Sequence, residues 1–126
     1  MSPEAVSYRS IAETLLERAQ RAFLAGIYED AARGAYTAAL NAARAVVFEK
    51  TGLAVKSHSG ARSKLLELIH NGLPFDGEIA KFLQDGFITK QGVDYGDGPI
   101  FVDLATAKSY LERAQAFIAE ARRVCG

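Results

Sequence analysis

EDAARGAYTAALNAARAVVFEK, running from Glu29 to Lys50, is the stretch that decides the fold. It carries Ala31, Ala32, Ala35, Ala38, Ala39, Ala42, Ala43 and Ala45. Alanine has the highest intrinsic helix propensity, and its methyl group lets neighbouring backbones approach closely. Tyr36, Leu40 and Val47 give this helix a second apolar face besides the one through Ala35, Ala39, Ala42 and Val46. Its one polar stripe is narrow: Arg33, Thr37, Asn41 and Arg44. A helix apolar around most of its circumference is enclosed on several sides, so Glu29–Lys50 is expected to be the central helix of an all-α fold.

The flanking sequence supplies the enclosing helices. Ser2 can cap and Pro3 suits the first helical position, which predicts a helix over Pro3–Leu24 with Tyr8, Ile11, Leu15, Ala19, Ala22 and Phe23 facing inward. Gly26 ends it. Beyond Thr51-Gly52, Leu53–Ser59 reads as a loop, followed by a shorter helix over Gly60–His70. A further helix is expected over Asp76–Lys90, with Ile79, Phe82, Leu83 and Phe87 inward and a bend at Gly86. The glycine-rich stretch Gly92–Pro99 cannot stay helical, and Asp103 then caps a last helix over Leu104–Val124. The expected architecture is an up-and-down four-helix bundle with an additional short helix, one domain over residues 1–126.

Composition bounds the function classes. A chain of 126 residues can bury a core without disulfides or metal. Its formal net charge is zero, so no global field draws it to nucleic acid or an anionic membrane. The single cysteine, Cys125, has no partner for an internal disulfide, which suits a reducing cytoplasm. No apolar run approaches the ~20 residues that span a bilayer. The start, Met1 to Ala5, lacks the basic and apolar regions of a signal peptide, so a cytoplasmic protein is expected.

The residues that carry chemistry are few. Glu67 and His70 share a helix face, but the di-iron bundles that use this spacing need it twice, with two more inward glutamates. The other histidine, His58, has Val55 at the matching position, so no metal is expected. The glycines near Gly96 fit no phosphate-cradling pattern, and no cofactor is expected. Charge, however, is unevenly spread. Arg44, Lys50, Lys56, Arg62 and Lys64 face only Glu49 in their stretch, with His58 among them. The region around the fourth helix is acidic instead, with Asp76, Glu78, Asp85, Asp94, Asp97 and Asp103. The basic stretch reads as a solvated face, as an anion or RNA contact, or as one half of a charge match between two copies. On the central helix, Arg33 and Arg44 lie on one line with Thr37 and Asn41. That line is either its solvent side or a grip for a phosphate or a carboxylate.

Three segments together resemble the HEPN (higher eukaryotes and prokaryotes nucleotide-binding) domain family, in its small stand-alone prokaryotic branch. They are YTAALNAARAVVFEKTG (Tyr36–Gly52), KSHSG (Lys56–Gly60) and VDYG (Val93–Gly96), and the resemblance spans nearly the whole chain. It implies an up-and-down four-helix bundle that dimerises, often encoded beside a small nucleotidyltransferase as a toxin–antitoxin pair. Active members are metal-independent RNases whose signature is an arginine followed shortly by a histidine, near the end of the helix matching Phe82–Gln91. Here no arginine occurs between Arg62 and Arg113, and no histidine follows His70. Lys90 takes the arginine's place, and Tyr95 falls where the histidine would begin. A lysine holds a phosphate as a point charge without the bidentate fork. A tyrosine of ordinary pKa, near 10, is a poor acid–base group at neutral pH. The resemblance, with its signature missing, implies a homodimer that binds a partner, a nucleotide or RNA around Lys90, Asp94 and Tyr95; Arg33, Asn41 and Arg44 of the polar stripe and His58 of the basic stretch are further candidates. An RNase with a degenerate motif is the alternative.

Overall fold

A computed structural model of the chain describes residues 1–87 and 102–125. Its helices are α1 (Pro3–Leu24), α2 (Tyr28–Thr51), α3 (His58–His70), α4 (Gly77–Ala80), α5 (82–87) and α6 (Leu104–Cys125). No strand occurs among the described residues, and the architecture is an all-α bundle. None of these helices is long and apolar enough to cross a membrane.

The core is built around α2. Thirteen of its residues, from Ala31 to Val47, are buried, and it packs against α1, α3 and α6. Its alanines bring the neighbours close. A Cβ placed on Gly34 would stand 3.1 Å from the Ala19 Cβ of α1. The hairpin joining α1 to α2 turns at Gly26, whose φ of 77° is strained for any residue with a Cβ. Gly52, at φ 75°, ends α2 and donates its N–H to the Phe48 carbonyl at 2.8 Å. At the start of α1 the Ser2 hydroxyl accepts the Ala5 N–H at 3.2 Å, as the Ser2-Pro3 pair predicts. At α6, the Asp103 carboxylate accepts the Thr106 N–H at 2.8 Å.

Two side chains fasten the remaining turn. Glu120 of α6 is buried and accepts the Asp76 N–H at 2.6 Å. Arg123 binds the same carboxylate at 2.7 Å and also donates to the Pro74 carbonyl. Phe75 in the same turn is buried, its ring centroid 5.0 Å from that of Phe117. At the opposite flank, the Ser2 N–H donates to Glu49 at 2.9 Å, and the Cys125 thiol lies within the fields of Lys50, Glu49 and Arg9. The start of α1, the end of α2 and the end of α6 therefore share one corner.

Three expectations are corrected. Ile11 faces outward, 44 % exposed. The contact strip of α1 runs instead through Ala5, Ala12 and Ala19, because methyl groups allow the closest approach to α2. Ile11 lies one helical step, about 100°, off that strip. The single helix expected over Asp76–Lys90 breaks at Lys81, whose N–H reaches both the Gly77 and Ile79 carbonyls. Gly86 is where a ring meets backbone: a Cβ there would lie 2.7 Å from Tyr36 Cδ2. Finally, α3 begins at His58 and not Gly60, because Ser57 caps it by accepting the Gly60 N–H at 3.0 Å.

Candidate functional site

The polar stripe of α2 forms a ladder of internal contacts. Thr37 donates to the Arg33 carbonyl at 2.9 Å, and Asn41 donates to the Thr37 carbonyl at 3.0 Å. The Asn41 side chain is buried, and its oxygen accepts from Arg44 at 3.3 Å. Arg44 then reaches across to the loop before α3, donating to the Val55 carbonyl at 3.1 Å and the Lys56 carbonyl at 2.8 Å. This guanidinium satisfies loop backbone that has no helical partner, which an arginine does with its several fixed donors. Arg33 stands at the outer end of the stripe, ion-paired with Asp30 at 2.5 Å.

The loop held by Arg44 sets the position of α3. A Cβ on Gly60 would meet Ser57 Oγ at 2.6 Å and Val55 Cγ1 at 2.7 Å, so only glycine fits beneath that cap. The KSHSG segment is thus a local lock. The Lys56 carbonyl accepts from Arg44, Ser57 caps the helix, and Gly60 clears space for the Ser57 and Val55 side chains. His58, half-buried at the first turn, turns its ring edge-on to Tyr36, with centroids 6.5 Å apart and planes at 75°.

Tyr36 is the centre of an aromatic cluster joining four helices. Its ring contacts Phe82 at 6.0 Å and Phe87 at 6.5 Å, and Phe82 contacts Tyr110 of α6 at 5.2 Å. Its hydroxyl donates to the Leu83 carbonyl at 2.9 Å. Burial pushes the Tyr36 phenol up to about 12, with Arg62 opposing and Tyr110 adding to the rise. Tyr36 is therefore a protonated structural donor and not an acid–base group at neutral pH.

Two arginines lie over the outer rings of this cluster. The Arg62 guanidinium of α3 sits 4.9 Å from the Phe87 centroid, and that of Arg113 in α6 sits 5.1 Å from the Phe82 centroid. Arg113 is also bonded to Asp85 at 2.9 Å. A groove of about 220 Å³, lined by Glu78, Ile79, Arg113 and Ala116, opens beside it. Arg62 makes no ion pair among the described residues. A guanidinium held over a ring face is attracted to it electrostatically, and its N–H donors match the oxygens of phosphate or carboxylate.

The structure brings His58 into one neighbourhood with Tyr36 and Arg62, and it separates the roles along α2. Asn41 and Arg44 are engaged with each other and with the loop, while Arg33 is half-buried at the stripe's end. Lys90, Asp94 and Tyr95 lie outside the described residues. The sequence reading counted Arg62 only as one charge of a basic stretch and missed its pairing with Phe87. A tyrosine in an otherwise alanine-rich buried face was the available signal for the cluster, since a buried hydroxyl requires an acceptor. His70 is exposed at the end of α3, and Glu67 pairs with Lys64 at 3.3 Å. Among the described residues no three His, Cys, Asp or Glu side chains gather in a metal-holding group.

A comparison with curated proteins finds no match. The family model for the HEPN domain matches residues 5–124, nearly the full length of the bundle from Ala5 in the first turn of α1 to Val124 in the last turn of α6. The match takes in the alanine-rich α2, the KSHSG segment and the helices around them, and the chain belongs to the HEPN domain family.

Proposed function

We propose that this HEPN module is a homodimeric, non-catalytic binding protein that takes RNA or a nucleotide by its phosphates. The binding face is the one where α3 and α5 cover Tyr36. The observation that carries the reading is Arg62, stacked on Phe87 and without an ion pair among the described residues. His58 lies one helical turn before Arg62 on α3, Lys56 belongs to the loop held by Arg44, and Arg33, ion-paired with Asp30, lies further along α2. Lys90, Asp94 and Tyr95, which follow α5 in the chain, are proposed as the remainder of this face. The lack of an arginine–histidine signature supports binding over cleavage. The family's association with small nucleotidyltransferases makes such an enzyme the proposed protein partner, in a toxin–antitoxin pair.

Fluorescence anisotropy with a single-stranded RNA and calorimetry with ATP test the reading. Arg62→Ala is expected to weaken binding about tenfold and to reduce the salt slope by about one. Unchanged binding in this variant would overturn the reading. The alternative, an RNase with a degenerate motif, draws on the placement of half-buried His58 close to Arg62. RNA incubated with the protein in EDTA is expected to stay intact. Cleavage that disappears in His58→Ala would establish the alternative instead. Native expression followed by affinity isolation tests the nucleotidyltransferase pairing.

A further inference from the structure

Helix α5 is too short to hold its own shape. Its span of 82–87 leaves few of the hydrogen-bonded turns that offset helix nucleation, and Gly86 within it is a poor helix former. Its register is therefore set by what grips it from outside. From α2, the Tyr36 hydroxyl donates to the Leu83 carbonyl at 2.9 Å, and the Tyr36 ring fills the space that a Cβ on Gly86 would need. From α3, the Arg62 guanidinium lies 4.9 Å from the Phe87 centroid. From α6, Arg113 holds two points at once. Its guanidinium stands 5.1 Å from the Phe82 centroid and donates to the Asp85 carboxylate at 2.9 Å.

The angular order of these grips separates their roles. At about 100° per residue, Asp85 lies about 60° to one side of Phe82, while Gly86 lies about 40° and Phe87 about 140° to the other. Arg113 thus takes one side of α5, Tyr36 the middle and Arg62 the far side. An exposed ion pair by itself contributes little to stability, and the Asp85 side chain is 56 % exposed. The second contact changes its worth. The Phe82 ring is buried against Tyr36 and Tyr110, so it is a fixed point, and Arg113 ties Asp85, one turn on, to that point. Rotation of α5 about its axis breaks one of the two contacts, and the same rotation carries Phe87 away from Arg62.

We infer that Arg113 is a positioning residue for the face formed by Arg62 and Phe87. Its grip on Phe82 and Asp85 fixes where α5 presents the Phe87 ring to Arg62, and it does so from the other side of α5, without touching what binds there. The inference rests on the phosphate-binding reading above and adds to it a residue that acts through its neighbours.

The test combines binding of a single-stranded RNA, followed by fluorescence anisotropy across a salt series, with a reporter at position 87. The sequence contains no tryptophan, so Phe87→Trp supplies one indole whose emission reports the surroundings of that ring. In this background Arg113→Ala and Asp85→Asn are each expected to shift the emission to the red, as the indole leaves its packed position. With Phe87 in place, Arg113→Ala is expected to weaken RNA binding about threefold with the salt slope unchanged, since no phosphate contact is lost. Asp85→Asn, at an exposed position that folding tolerates, gives the sharper result. It removes a negative charge and frees the guanidinium, so direct contact of Arg113 with phosphate would tighten binding. Positioning through the ion pair instead loosens it, by about twofold. Arg113→Ala added to Arg62→Ala is expected to bind as Arg62→Ala alone, because the two act through one contact. A salt slope lowered by about one in Arg113→Ala, tighter binding in Asp85→Asn, or emission unmoved in both variants would overturn the inference. If Arg62→Ala itself leaves binding unchanged, the phosphate-binding reading falls, and the emission alone decides whether Arg113 sets Phe87.

Discussion

At the scale of single residues, the glycines and arginines of this chain are chosen by what lies against them. Gly86 is tolerated inside a helix because the Tyr36 ring occupies the place of its side chain, 2.7 Å from where a Cβ would sit. That ring is buried, bonded to the Leu83 carbonyl and braced by Phe82, so it has little room to yield. Gly86→Ala is expected to lower unfolding stability by about 1–3 kcal/mol in urea titration, even though alanine is the better helix former. Arg44→Ala leaves two loop carbonyls and the Asn41 amide oxygen without their donor. A loss of about 1–3 kcal/mol is expected, with Arg44→Lys recovering only part of it, because one ammonium cannot reproduce the guanidinium's divergent donors. None of this was legible from the residue types. Gly86 read as a point of bending, and Arg44 as part of a stripe that was either solvent-facing or a grip for a phosphate or carboxylate. The partners of both lie on other elements, Tyr36 across the core and the loop eleven residues on.

At the scale of elements, the helix spans follow closely from local signals, and the errors fall where tertiary contact overrides them. Pro3–Leu24 is bounded by its own cap and glycine, and α2 by Gly52, so both were readable from the sequence. Ser57 was overlooked as the cap of α3 because its acceptor role depends on Gly60 lacking a side chain. Ser57→Ala is expected to cost about 1 kcal/mol, measured by thermal or urea unfolding. The turn before α4 makes a pH-dependent contribution. Arg123, bonded to Glu120, holds that carboxyl below the usual carboxylate range. The Asp76 N–H assists, against the opposing effect of burial. A carboxyl depressed in the folded state stabilises fully above its unfolded pKa, about 4.3, and the contribution fades as pH falls through the lower folded value. The melting temperature is therefore expected to drop below about pH 4.5. Glu120→Gln should flatten that acid limb while lowering stability at neutral pH.

At the scale of the whole molecule, enclosure of α2 was the part most visible in the sequence, because a helix apolar on nearly every side has no other place to go. The observed burial from Ala31 to Val47 meets that expectation. Backbone amides in the middle of α2 are expected to exchange with deuterium only through global unfolding, measured by native-state exchange. Those of the 71–76 turn should exchange through smaller openings. The candidate site was far less legible. It is a composite of α2, α3, α5 and α6, and the stacking of Arg62 on Phe87 joins positions that no periodicity links.

The meeting of the chain's two ends beside Glu49 and Lys50 has a mechanical consequence. Tension applied between residues 2 and 125 would not slide the long helices past one another, which loads every contact along their length at once. It would instead peel α1 and α6 away from that corner, opening the structure like a zip, a few contacts at a time. Under load applied at Ser2 and Cys125 this bundle should give way at far lower force than its density of packing suggests.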